Sequence, residues 1–163
     1  MAVAFYLELT DVTGECKVSG YEEQIDVMAW SWGMSQPVSA HAAGGAGGPG
    51  KVSVQSLNIS KYVDKASPTL MQFCANGKHI EKGVLTACKM GGEDDAVVFY
   101  TITMDEVFVS NVSAGGSEGS DGLTEQVALD FAKVHVKYYP QEETGAKGQD
   151  ISFDWDIKAN KSC

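Results

Sequence analysis

Residues 25–51 read IDVMAWSWGMSQPVSAHAAGGAGGPGK, and the first half of this stretch decides the fold. Met28, Trp30, Trp32 and Met34 alternate with Val27, Ala29, Ser31 and Gly33. Side chains in a strand have a period of two, so this is a β-strand with one bulky and one small face. The bulky face belongs in a core. A face of Ala, Ser and Gly fits either close packing on another backbone or a smooth wall toward a lumen or partner, and the residues alone leave both open. The second half, Pro37 to Gly50, is a loop of about fourteen residues, long enough to need a reason.

Working outward from this strand, which spans about Glu23 to Gln36 and is stopped by Pro37, the chain is rich in strands. Upstream, Val3, Phe5, Leu7 and Leu9 alternate with Ala4, Tyr6, Glu8 and Thr10, as in a half-buried strand. Downstream, Val52 and Val54 share one face while Leu57 and Ile59 fall on the other, so a bulge is expected near Ser56. One helix follows. Ser67 is its expected N-cap, Pro68 suits the first helical position and Gly77 the C′ position. Leu70, Phe73, Cys74 and Gly77 form its apolar face. At about nine residues it must be held by packing on a sheet.

Strands then resume with a short one over Val84 to Met90 and an acidic turn at Gly91 and Gly92. A long strand over Ala96 to Val112 places Val98, Tyr100, Ile102, Met104 and Phe108 on one face. Ser113 to Gly122 is a Gly/Ser loop. In Leu123 to Tyr138 the apolar set changes phase, from Leu123, Val127, Leu129 and Phe131 to Val134, Val136 and Tyr138. That marks a bulge or a barrel corner. After a polar loop, Ile151, Phe153, Trp155 and Ile157 alternate with polar residues in a final strand. About seven strands and one helix without a βαβ rhythm predict a mainly β fold, an antiparallel barrel or sandwich with the helix on one side. No internal repeat or domain boundary is visible, so residues 1–163 read as a single domain.

The 163 residues carry a formal net charge of −10, which argues against nucleic acid and anionic membranes as partners. Four scattered cysteines without CxxC spacing read as reduced thiols. The N-terminus lacks a basic n-region and no run reaches transmembrane length. Export would therefore proceed without a cleaved signal peptide.

Motifs of chemistry fail on context. Gly45-x-Gly47-x-x-Gly50 matches a dinucleotide fingerprint, and Gly45 to Lys51 most of a P-loop. Both need a helix after the glycines, whereas KVSVQS reads as a strand, and Val52 stands where a magnesium-binding hydroxyl belongs. Cys74, His79, Cys88, His41 and His135 show no metal-ligand spacing. Asp94, Asp95, Asp105 and Glu106 read as solvated acids. Trp30 and Trp32 read as a core pair rather than a sugar platform. No catalytic, cofactor or metal residues are expected.

Longer words in the sequence are more specific. EEQIDVMAWSWGMSQ, KVSVQSLNISKYVDKASPTLMQ, NGKHI, KMGGE, VFVSNVSAGGS, LTEQVALDFAKVHVKYYPQ and DWDIKAN together resemble the haemolysin-coregulated protein (Hcp) family, inner-tube proteins of bacterial type VI secretion systems. The similarity covers essentially the whole chain. It implies a barrel of two packed sheets with a helix at one side, like phage tail-tube proteins. It implies homo-hexameric rings that stack into a tube, a contractile sheath and a spike as partners, and small effector proteins carried in the pore. It also implies a non-enzymatic protein that is cytoplasmic before firing and secreted afterwards. On this reading Ala29, Ser31 and Gly33 line the pore, while Trp30 and Trp32 pack inside the barrel. The loop carrying Pro37, His41, Gly44, Gly47, Gly50 and Lys51 would contact the next ring, since it could stretch up to about 45 Å. The alternative within the family is an effector-binding chaperone ring whose tube assembly is secondary.

Overall fold

The alternating stretch is interrupted twice, by a bend at Met28 and by a break at Trp32 and Gly33. In the computed structural model, which describes residues 2–37, 50–89, 96–141 and 147–163, β2 is Ile25–Val27 and β3 is Ala29–Ser31, with Met28 as a bend between them. Ile25 and Val27 lie in the core, and Trp30 and Trp32 pack half-buried against it. The inward positions therefore change parity at Met28, which is 48% exposed. This corrects the expectation of a single bulky face. Val27 joins the core rather than the small face, because one bent residue reverses the faces of everything before it. Met34, expected with the tryptophans, is 41% exposed because it has already left the barrel. It belongs to β4 (Met34–Ser35), which pairs with β5 (Ser53–Val54) in a separate two-stranded ribbon.

The bend also closes the fold. The remaining strands are β1 (Val3–Leu9), β6 (Leu57–Tyr62), β7 (Ile80–Lys89), β8 (Val97–Gly115), β9 (Thr124–Tyr138) and β10 (Ile151–Asp156). The main sheet runs β2-β1-β7-β8-β9-β6-β3, with β10 paired to β9 off that path. Phe5 of β1 faces Val27 at one end, and Ile59 of β6 faces Trp30 at the other. Since β2 and β3 are consecutive in the chain, the two ends of the sheet meet at Met28, whose N–H donates to the Ser60 carbonyl at 2.8 Å. The result is the expected antiparallel barrel, nearly closed, with both walls cut from one sheet. Closure removes two edges that would otherwise invite pairing with other chains.

The phase change expected in β9 is present, and β8 mirrors it. Val127, Leu129 and Phe131 are buried, then Val134; on β8, Ile102 and Met104 are buried, then Val107 and Val109. Pairing stays in register across the change, with Asp105 opposite Lys133 and Val107 opposite Phe131, so both strands bend together. Glu106 takes the bend with a positive φ of 53°. That reversal turns Phe108, expected inside, outward to 39% exposure. Leu123, expected inside at the start of the same pattern, is likewise exposed, just before β9 begins. Strand β7 is longer than expected because it begins at Ile80, directly after the helix.

The helix α1 (Ser67–Asn76) has Pro in its first turn and ends on Gly77 at φ 69°, a left-handed conformation that glycine adopts freely. Leu70 is buried and Phe73 and Cys74 pack on the barrel core. Ser67 is not the N-cap; Ala66 holds that position and makes no side-chain cap. The Ser67 hydroxyl instead lies 2.7 Å from Glu125 Oε1 and accepts from Lys61 Nζ at 3.2 Å and from the Asp64 N–H at 3.0 Å. Lys61 and Glu125 form an ion pair with fully buried side chains, and Lys61 also reaches Asp64 at 2.9 Å. This network fastens the start of α1 to β6 and β9. A smaller cluster of Tyr6, Cys16 and Cys88 lies apart from the main core, with Tyr21 packed against it. All four cysteines are free thiols.

Candidate contact wall

Alternate residues of β3, β6, β9 and β8 turn outward on one side of the barrel. One row across the strands is Ala29, Ser60, Gln126 and Ser113. The next is Ser31, Asn58, Ala128 and Asn111, with the small Ala128 buried between its larger neighbours. The inward neighbours in the same strands are Leu57, Ile59, Val127, Leu129 and Val109, all buried. The wall is thus the reverse side of the core, set by the two-residue period.

Its side chains bond to one another. Ser60 Oγ donates to Gln126 Oε1 at 2.8 Å, Asn111 Nδ2 to Ser113 Oγ at 3.3 Å, and Asn58 Nδ2 to the Ser56 carbonyl at 3.2 Å. Ser110, the extra residue where the β8 register shifts, donates to the Ala128 carbonyl at 3.2 Å. In the next outward row Asp130, opposite Phe108, accepts from Ser56, and the adjoining Lys61 and Glu125 point inward. Ala29, Ser31, Asn58, Ser60 and Gln126 line a shallow recess of about 160 Å³ together with Trp30. Such a wall offers amide and hydroxyl hydrogen bonds and no strong field. It is suited to contact, not to proton transfer.

The expected site residues separate in space. Ala29 and Ser31 lie in the wall and are exposed. Gly33 lies beyond β3, where its carbonyl accepts from the Gln55 N–H at 2.9 Å; it links the barrel to the ribbon. Pro37 and Gly50 come together where the loop leaves and returns, and a Cβ on Gly50 would stand 3.0 Å from Pro37 Cγ. Lys51 is exposed. His41, Gly44 and Gly47 lie outside the described residues, as does the Gly91-Gly92 turn. The sequence reading missed Asn58, Ser60, Gln126, Asn111 and Ser113. Outward parity was readable for the first four, but Ser113 was expected in a loop, and β8 instead runs on to Gly115; that the four strands are neighbours was not readable.

The other half of the β8–β9 ladder differs in character. Its outward rows are Asp105, Lys133 and Asp156, then Thr103, His135 and Asp154. His135 lies 2.7 Å from Asp154 through Nδ1 and 3.1 Å from Asp105 through Nε2. Lys133 is 4.0 Å from Asp156 and Lys158 is 3.0 Å from Glu106. The Lys158 bond and charge hold the Glu106 carboxyl below its ordinary value. Nearby, Met34, Val52, Phe153 and Trp155 line a groove of about 400 Å³ between the ribbon and β10. In the smaller core cluster, burial raises the Tyr6, Cys16, Tyr21 and Cys88 values, and Tyr21 Oη lies 3.1 Å from Cys88 Sγ. Among the described residues no group of three or more His, Cys, Asp or Glu could hold a metal, and no helix is long and apolar enough to cross a membrane.

A nearly closed antiparallel barrel with one flanking helix defines a mainly β, barrel-type protein. The comparisons make this specific. The family model "Type VI secretion system effector, Hcp" matches residues 6–138. Protein hcp1 of Pseudomonas aeruginosa is 51% identical over 161 residues, covering 98% of each chain. Hcp1 from Salmonella typhimurium, a solved structure, is 32% identical with a TM-score of 0.82 and full coverage of both chains. A solved "type six secretion system protein" is 26% identical with a TM-score of 0.92, covering 99% of this chain and 100% of its own. The chain belongs to the Hcp family of secreted type VI secretion system proteins.

Proposed function

We propose that this chain is the structural subunit of a type VI inner tube, with residues 1–163 acting as one tube domain. Six copies close into a ring with the uncharged wall turned to the central hole. Rings stack through the segment from Pro37 to Lys51. A contractile sheath drives the stack out behind its spike, and small effector proteins travel in the hole. The chain waits in the cytoplasm and leaves without a cleaved signal peptide.

The observation that carries this reading is the neutrality of the wall. The chain has a net charge of −10, yet one face of the barrel displays amides, hydroxyls and methyl groups. Copies of a charged wall facing one another around a hole would sum and focus their fields, admitting cargo of one sign and repelling the other. An uncharged wall admits both. Ser31→Gln should preserve the ring by native mass and lower the retention of small effectors encoded beside the secretion genes. Unchanged retention of every such effector would refute a luminal Ser31. Deleting Ala42 to Gly48 should leave rings intact and weaken stacking; normal tubes would remove the loop from the account.

The recess at Ser31 and Gln126 favours a second reading, an effector-binding chaperone ring whose tube assembly is secondary. Ring-competent, tube-defective variants separate the two. If they stabilise effectors as well as wild type does, the chaperone role stands on its own.

A further inference from the structure

His135, Asp105 and Asp154 have no part in the uncharged wall, and their geometry is specific. They come from three neighbouring strands, and the imidazole spans the two carboxylates through both ring nitrogens at 2.7 and 3.1 Å. We propose that they form a proton-operated clasp that fixes β10 to the barrel.

Strand β10 needs such a device. It pairs with β9 alone, and the start of its core-side face is poorly covered, with Ile151 67% exposed opposite Tyr138 and Phe153 exposed opposite Val136, while Trp155 packs on the core. Of its residues Trp155 is the one that packs on the main core, and an edge strand anchored at one end is where local opening begins. An imidazolium has two N–H donors and satisfies Asp105 of β8 and Asp154 of β10 together. A neutral imidazole has one N–H, so one carboxylate must face a lone pair. The other charged groups on this face are Lys82 of β7, opposite Asp105 on the side away from β10, Lys133 and Lys137 on β9 itself, Asp156 beside Lys133, and the Glu106–Lys158 pair. None of these replaces the lost second donor between β8 and β10. The clasp therefore closes when His135 binds a proton and loosens when it releases it.

Opening has a structural consequence. Phe153 and Trp155 of β10 form one side of the groove of about 400 Å³ whose other side is Met34 and Val52. Loosening β10 widens that groove and bares the β9 edge from Lys133 to Tyr138. The inference stands without the ring reading, since it concerns one chain.

The test is hydrogen exchange on the full chain, referenced to an NMR titration of the His135 imidazole. Protection factors of the β10 amides should be roughly threefold higher with His135 protonated than neutral, while those of β1 stay level. In His135→Gln the β10 protection should no longer follow pH, and Asp105→Asn should remove most of the change. Equal wild-type protection on both sides of the titration overturns the clasp. So does a pH response of full size in Asp105→Asn, which decides the matter if His135→Gln fails to fold.

Discussion

The two halves of the β8–β9 ladder treat charge in opposite ways. Beyond the bend at Glu106, the outward rows carry one charged group, Asp130 opposite Phe108, and the rows past it are uncharged, while the nearby ion pair, Lys61 with Glu125, points into the barrel. On the other side of the bend the interior is Ile102, Met104 and Val134, and the side chains of Asp105, Lys133, His135, Asp154 and Asp156 stand outside. The uncharged face does not reflect a sequence short of ions. Residues 61 and 125 bring a cation and an anion to that half and place both on inward positions. Burying a pair costs desolvation, against which stand its mutual attraction and the bonds to Ser67 and Asp64, while Glu125 Oε2 is left buried without a partner. The comparison separates a surface kept neutral for contact from one that uses charge to hold an edge strand.

The strongest way to break this comparison is Lys61→Met. Leaving Glu125 buried and unpaired should cost about 3–5 kcal/mol in urea denaturation, and adding Glu125→Leu should recover most of that loss. A single variant as stable as wild type would mean that the inverted pair has no energetic content. Next in size is the alkaline side of the stability curve. Burial raises the Cys88 and Tyr21 values in the fold, so their contribution is complete below the values of the unfolded chain, 9.0 and 10.0. It should be lost as pH rises past them, and Tyr21→Phe should flatten the Tyr21 part of that loss in thermal melts. Gln126→Lys should change stability by less than about 0.5 kcal/mol, because the position is exposed, yet bias cargo toward acidic effectors in retention assays. Equal retention of acidic and basic effectors would show that the wall's neutrality is incidental.

The smallest effect sharpens the ionic half. Lys158 holds the Glu106 value below that of the unfolded chain, so its support is present at neutral pH and is lost as pH falls and Glu106 takes up a proton. Both groups are exposed, and Lys158→Ala should produce no resolvable shift in the melting temperature. A large shift would show that the exposed ions carry stability that solvent screening should deny them.

Much of the architecture was legible in the residues. The closing strand alternates from Ile151 to Trp155, the phase change between Phe131 and Val134 marked the barrel corner, and Pro68 and Gly77 bracketed α1. Alternation set Ala29 and Ser31 on one small face but left open whether that face packs or is displayed, and in the barrel both are exposed. The bend at Met28 was not legible, because methionine is unbranched and suits either face of a strand. The bend at Glu106 was hidden for a related reason, since a left-handed glutamate carries none of the signal a glycine would. The inward parity of Lys61 and Glu125 could be counted, but their pairing across 64 positions follows from barrel register. The full wall was hidden likewise, because Ser31, Asn58, Ala128 and Asn111 become neighbours only when β3, β6, β9 and β8 lie side by side.

The most direct measurement is an electron cryomicroscopy map of the assembled protein at side-chain resolution. The account predicts hexameric rings with Ser31, Asn58 and Gln126 on the wall of the hole and His135 away from it. Rings whose hole is lined by the His135 face, or a protein that stays monomeric at every concentration, would contradict it.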